Sequence, residues 1–158
     1  MKRLACRSCN HPRGFTLIEL IVTMILLGIL AVYALPRFAD RQTFDTRGFA
    51  DQTRAAIQFA RKVAVAKGRN VCVSASGSTL ALTMAATRGQ SVACTGNVIN
   101  PATGAAYSLT SPVANVSYSG SLSLTFFGDG TPSAAGTLTV SGDSNITINV
   151  SATTGYVY

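Results

Sequence analysis

The sequence predicts an α+β chain: a long N-terminal α-helix, its first half transmembrane, packed on an antiparallel β-sheet or sandwich. Three observations carry this. Phe15 to Leu35 is a run of 21 residues whose single charge is Glu19. From Phe49 to Ala64 apolar residues recur at helical spacing, and beyond Arg69 the period drops to two.

The apolar run, taken as a helix rising ~1.5 Å per residue, is long enough for a ~30 Å hydrocarbon layer. Pro36 follows it and has no backbone N–H, so it ends or kinks the helix. A kink is expected, because Phe49, Thr53, Ala56, Ile57, Ala60, Val63 and Ala64 continue a helical stripe while Arg54, Arg61 and Lys62 stay off it. Gly68 is the C-terminal stop, and Arg61, Lys62 and Lys67 complement the dipole of the last turns. A continuous bent helix from Phe15 to about Lys67 stands against an alternative of two helices joined flexibly across Thr43 to Gly48.

Strands are expected where apolar and polar residues alternate: Val71 to Ala75, Leu80 to Met84, Leu122 to Phe126 and Ile146 to Val150. Shorter candidates are Ser91 to Cys94, Val113 to Ser119, Thr137 to Ser141 and Tyr156 to Tyr158. Ser76-Gly77, Gly128-Asp129-Gly130, Ser141-Gly142-Asp143 and Thr154-Gly155 supply turns between them. The apolar stripe on the helix is the natural cover for the sheet.

Charge is unevenly spread. The net +7 arises in the first half: Lys2, Arg3, Arg7 and Arg13 precede the apolar run, and eight cations against three acids lie between Arg37 and Arg69. Beyond Arg69 only Arg88, Asp129 and Asp143 are charged. Nucleic-acid binding in that half is not expected, because phosphates need clustered cations. With 27 Ser or Thr between Val71 and Tyr158, the exposed strand faces are mostly hydroxyl. Such a surface suits packing among copies or relatives with little long-range repulsion, or simply reflects outward strand positions. The sequons at Asn115, Asn145 and Asn149 follow from composition.

Cys72 and Cys94 lie 22 positions apart in the strand-rich half. A disulfide between them places this half in an oxidising compartment, and two buried thiols are the alternative. Cys6, Cys9 and His11 form part of a zinc or redox pattern that lacks a fourth ligand, so no metal is expected. His11 is the only histidine, and no Ser or Cys has an identifiable activating partner. Asp129 and Asp143 sit beside glycines in turns. No enzyme and no cofactor are expected.

Three readings compete for the N-terminal segment. A cleaved secretory signal would have a shorter apolar core and would not carry Glu19, and a plain membrane anchor leaves that carboxylate unexplained. The residues Arg13-Gly14-Phe15-Thr16-Leu17-Ile18-Glu19-Leu20, set between a basic leader and an apolar helix, resemble the prepilin motif of type IV pilins and type II secretion pseudopilins. The resemblance implies cleavage between Gly14 and Phe15 by prepilin peptidase, N-methylation of Phe15, and pairing of Glu19 with the terminal amine of a neighbouring subunit during assembly. A helix-terminal acid favoured by the N-terminal dipole is the alternative for Glu19.

Further residues resemble GspH/FimT-type minor pseudopilins, and among them the minor pilins of MSHA-pilus biogenesis. They are Ala34 to Asp40, Arg47-Gly48-Phe49, Ala60 to Ala66, Arg69 to Val73, Phe126 to Gly130, and Ile146 to Tyr158. The implied organisation is a cytoplasmic leader (1–14), a transmembrane and assembly half of the helix (15–36), its periplasmic half (37–68) and a β-rich GspH-like domain (69–158) of a type IV pilin-like fold.

The resemblance implies a single-pass protein of the bacterial inner membrane that then enters a pilus or pseudopilus. Its expected partners are prepilin peptidase, other pilin or pseudopilin subunits and the inner-membrane assembly platform, with a role in initiation or at the tip. The alternatives are a type II secretion pseudopilin and, in a different class, a DNA-uptake or adhesive tip protein.

Overall fold

The computed structural model describes residues 14–39, 41–89 and 93–158, and the side chains of these except 33–39, 41 and 42. The leader with Cys6, Cys9 and His11 lies outside the described residues, as does most of the strand expected from Ser91. The chain divides into two units, one ending at Ala39 and one running from Asp40 to Tyr158.

The first unit holds α1 (Leu17–Ala39). Glu19 lies in its first turn, and every described side chain from Gly14 to Val32 is exposed. The helix continues through Pro36 and ends three residues later. The expectation of a transmembrane half is corrected here: among the described residues no helix is long and apolar enough to cross a membrane. The apolar stretch of α1 carries Glu19 in its first turn and gives way to Pro36-Arg37 before the helix ends at Ala39, so a charge stands towards each end of it. The single-pass inner-membrane localisation built on that span is corrected with it.

The second unit opens with α2 (Arg41–Lys67). Thr43 to Gly48 are helical and belong to this second helix. Phe49, Thr53, Ala56, Ile57, Ala60 and Ala64 are fully buried at three- and four-residue spacing, the stripe that the pattern predicts. The helix ends in a Schellman motif: Gly68 takes φ 58°, its N–H donates to Val65 O at 3.3 Å, and Arg69 N–H donates to Ala64 O at 3.2 Å.

Among the described residues eight strands follow: β1 (Val71–Ser76), β2 (Thr79–Ala85), β3 (Cys94–Asn97), β4 (Ser108–Thr110), β5 (Ser117–Ser119), β6 (Ser121–Phe126), β7 (Gly136–Ser141) and β8 (Ile146–Val150). They form two antiparallel sheets. One has the order β3-β2-β1-β6, with β4 also pairing to β2, and the other has the order β5-β7-β8. Val73 is flanked by Leu82 and Leu124, and Leu138 by Ile148; these five side chains lie within one core with the stripe of α2. Alternation sets this register, because a slip of one residue would turn each buried set outward. β4 was not expected, and β3 begins at Cys94, the last residue of the strand expected from Ser91.

Candidate functional site

The motif residues are placed by local chemistry. Thr16 precedes α1, and its Oγ1 accepts a hydrogen bond from the Glu19 N–H at 3.3 Å, which makes it the N-cap. Leu20 N–H donates to Thr16 O at 3.2 Å. Thr16-Leu17-Ile18-Glu19 has the residue pattern of a capping box, a signal that the sequence reading passed over. Phe15 is 81% exposed just before the cap. Glu19 therefore stands beside the positive end of the helix dipole, and among the described residues it has no ion-pair partner. A carboxylate and a run of exposed Leu, Ile, Met and Val lie together on this helix, a surface suited to burial against other copies of such a helix.

In the second unit Cys72 of β1 is bonded to Cys94 at the start of β3, with a Cα separation of 6.1 Å. The bridge ties the connection after β2 back to the centre of its sheet. Cys72 Sγ also lies 3.4 Å from Thr125 Oγ1.

Each turn acid is held by a threonine. Thr131 donates its N–H (2.9 Å) and its hydroxyl (2.6 Å) to Asp129 Oδ1, and these bonds hold the carboxyl below its ordinary pKa. Asp143 accepts the Thr43 hydroxyl at 2.6 Å, joining the β7–β8 turn to the first turn of α2. Among the described residues no group of three or more His, Cys, Asp or Glu side chains could hold a metal ion.

A groove of about 560 Å³ runs beside the last turns of α2, lined by Gln58, Arg61, Lys62, Val65, Ala66 and residues 155–157. Arg61 Nε donates to Gly130 O at 3.2 Å. Nothing in the sequence marked this groove, because α2 and residues 155–157 are far apart in the chain.

Comparison with known proteins connects the two units. Residues 9–35 match the prokaryotic N-terminal methylation motif. Residues 50–154, about two thirds of the chain, match type II transport protein GspH. Over 61 residues the chain is 34% identical to the type IV narrow pilus major component PilA5 of Thermus thermophilus. That stretch takes in 39% of this chain and 53% of PilA5, so the chain spans about half the length of this relative.

The crystal structure of the type IV minor pilin FimU of Pseudomonas aeruginosa superposes with a TM-score of 0.52 at 19% identity. The match covers 77% of this chain and 90% of FimU. That likeness shows the fold, which is pilin-like. Since the family match begins within α2 and runs through both sheets to the turn after β8, the chain belongs to the GspH family of type II transport proteins.

Proposed function

We propose that the chain is a GspH-type pseudopilin of a type II secretion machine. Prepilin peptidase cuts between Gly14 and Phe15 and methylates Phe15. The subunit, membrane-associated through its apolar helix, then joins other subunits at the inner-membrane assembly platform. The observation that carries this reading is one chain's combination of the methylation motif at 9–35 with the GspH match at 50–154.

The exposed face of α1 is the surface used for assembly. Glu19, one turn from the cut, meets the methylated amine of a neighbouring Phe15, since a carboxylate buried among apolar helices is tolerated only when paired. A pilin-type role needs no catalytic residue. N-terminal mass spectrometry of the chain from cells with and without the peptidase tests the proposal: methyl-Phe15 at the N-terminus in the first case and an intact leader in the second. Retention of Met1 in both would refute it.

A second reading, a minor pilin that initiates or tips an MSHA-like pilus, is favoured by the fold shared with a minor pilin and by the stretch in common with a pilus component. Deleting the gene separates the two, because loss of protein secretion follows from the first and loss of pili from the second.

A further inference from the structure

Residues 156–158 run antiparallel along β8. Asn149 and Tyr158 exchange both backbone bonds at 2.8 and 3.0 Å, and Val150 pairs with Val157. Val157 is 3% exposed and packs in the core. Side chains alternate along a strand, so Tyr156 and Tyr158 stand on the opposite, outer face of the sheet, where they are 61% and 57% exposed. Their rings lie 16° from parallel with centroids 6.1 Å apart. Exposed apolar residues scattered singly are ordinary, whereas two aligned rings make a continuous aromatic platform.

The same face continues across β8, β7 and β5 with hydrogen-bonding groups and no charge. Every side chain that these strands turn outward is Ser, Thr or Asn. Asn149 is the neighbour of Tyr158, and Thr137 is its neighbour on the other side. The Thr137 hydroxyl donates to Asn149 Oδ1 at 3.2 Å. That bond uses the amide oxygen, and among the described residues no acceptor takes the two amide N–H groups that remain beside Tyr158. In the next row the Thr139 and Thr147 hydroxyls lie 3.4 Å apart, a contact that uses one of their two protons.

A flat face of hydroxyls and an amide, edged by two open rings, narrows the chemistry of a partner. Nucleic-acid bases would stack on the tyrosines, but their phosphates need cations, and the outward positions of these strands hold none. A charged peptide finds no opposite charge there. A neutral sugar chain matches both parts of the surface. Its hydroxyls donate and accept as Asn and Thr do, and one side of a pyranose ring is a layer of C–H groups that packs on an aromatic face.

We propose that the outer face of the β5-β7-β8 sheet binds a neutral, β1,4-linked glycan. Such a chain is a flat ribbon, which a sheet face accepts without a cleft. One pyranose packs its C–H side on the Tyr156 and Tyr158 pair. The hydroxyls of the next sugar accept from the Asn149 amide and bond with the free threonine protons. The site uses neither Glu19 nor the exposed face of α1, and it goes beyond the pseudopilin reading without resting on it.

The test titrates the full-length chain with cellohexaose in dodecylphosphocholine micelles, a detergent whose headgroup carries no sugar. NMR follows the Asn149 side-chain amide and the two tyrosine rings, which should shift together and saturate. Tyr158→Ala should weaken binding at least ~10-fold, while Tyr158→Phe, which keeps the ring, should stay within ~3-fold of the parent. Asn149→Asp, which loses the two donors, should weaken it ~5–10-fold. The tyrosine side chains lie outside the core, and unchanged amide spectra elsewhere check that the Tyr158 variants remain folded.

Absent shifts at these three groups, full binding by folded Tyr158→Ala, or equal binding of maltohexaose, whose α-linked chain coils instead of lying flat, would each overturn the proposal. Tighter binding of hexathymidylate than of cellohexaose would assign the face to nucleic acid and overturn it too. None of these measurements involves processing or assembly, so their failure is separate from failure of the subunit reading.

Discussion

Inside the core the Tyr118 hydroxyl lies 2.8 Å from Thr53 Oγ1, while the Thr53 hydroxyl donates to Phe49 O at 2.7 Å. Thr53 has one hydroxyl proton and uses it on that carbonyl, so Tyr118 is the donor in the contact between them. The Tyr118 ring also packs against Phe49, with centroids 5.0 Å apart. This chain of contacts fixes β5 to the buried stripe of α2.

The two ends of that bond are unequal. Tyr118→Phe removes one bond and leaves Thr53 still bonded to Phe49 O, so the expected loss is about 1 kcal/mol. Thr53→Val leaves a buried tyrosine hydroxyl without its acceptor, at ~1–3 kcal/mol. Urea unfolding of both variants checks the order, Thr53→Val being the less stable.

Burial raises the Tyr118 pKa above its ordinary 10.0, and Tyr107 is raised for the same reason. Folding therefore favours the neutral phenols. Their contribution is complete below pH 10 and is lost as pH rises through the raised values. Unfolding followed from pH 9 to 12 should show stability falling across that window, less steeply in Tyr118→Phe.

The Cys72–Cys94 bridge closes a separation of 22 residues. Replacing both by Ser should lower stability by roughly 3 kcal/mol on the loop-entropy account. Thermal unfolding of the oxidised chain and of the double variant measures the difference, and added reductant should lower the melting temperature of the first alone.

Two glycines should respond in opposite directions. A Cβ at Gly128 would come within 2.7 Å of the Gly68 carbonyl carbon and 3.1 Å of the Arg69 nitrogen, both backbone atoms. Gly128→Ala should cost ~1–3 kcal/mol, since neither wall can rotate away. Gly48 lies inside α2 with nothing within 4 Å of a built Cβ, so Gly48→Ala should stabilise by ~0.5–1 kcal/mol. Chemical denaturation of the two variants decides both signs.

At the N-terminus, Thr16→Val removes the α1 cap and should weaken the helix by about 1 kcal/mol, read as lower helicity by circular dichroism in micelles. Glu19→Ala should leave expression and cleavage unchanged and abolish incorporation into filaments, scored by cross-linking of the subunit to its neighbours in cells. Normal incorporation of Glu19→Ala would remove the proposed pairing.

Much of the second unit was legible from spacing. Phe49 to Ala64 reads as a helix stripe, and β1, β2, β6, β7 and β8 read as strands, because each buries one face and must repeat its apolar residues with its own backbone period. β3 and β4 escaped this logic. Cys94-Thr-Gly-Asn97 and Ser108-Leu-Thr110 are short edge segments with little apolar alternation, and β2 recruits them by pairing rather than by burial. The Thr16 cap was legible through Glu19 three residues on, a pattern hidden by the stronger signal of the apolar run.

Sequence alone determined the periodic elements, the charge asymmetry, the motif around Gly14 and Phe15, and the stop at Gly68, since each depends on neighbours within a turn or a strand. Tertiary structure decided the strand order, the buried bond between Thr53 and Tyr118, the close approach of Gly128 to Gly68, and the groove where Val157 runs beside Arg61 and Lys62. These depend on pairs of residues some 60 to 100 positions apart, whose meeting is set by how two sheets and a helix fill one core, and no local pattern encodes such a meeting.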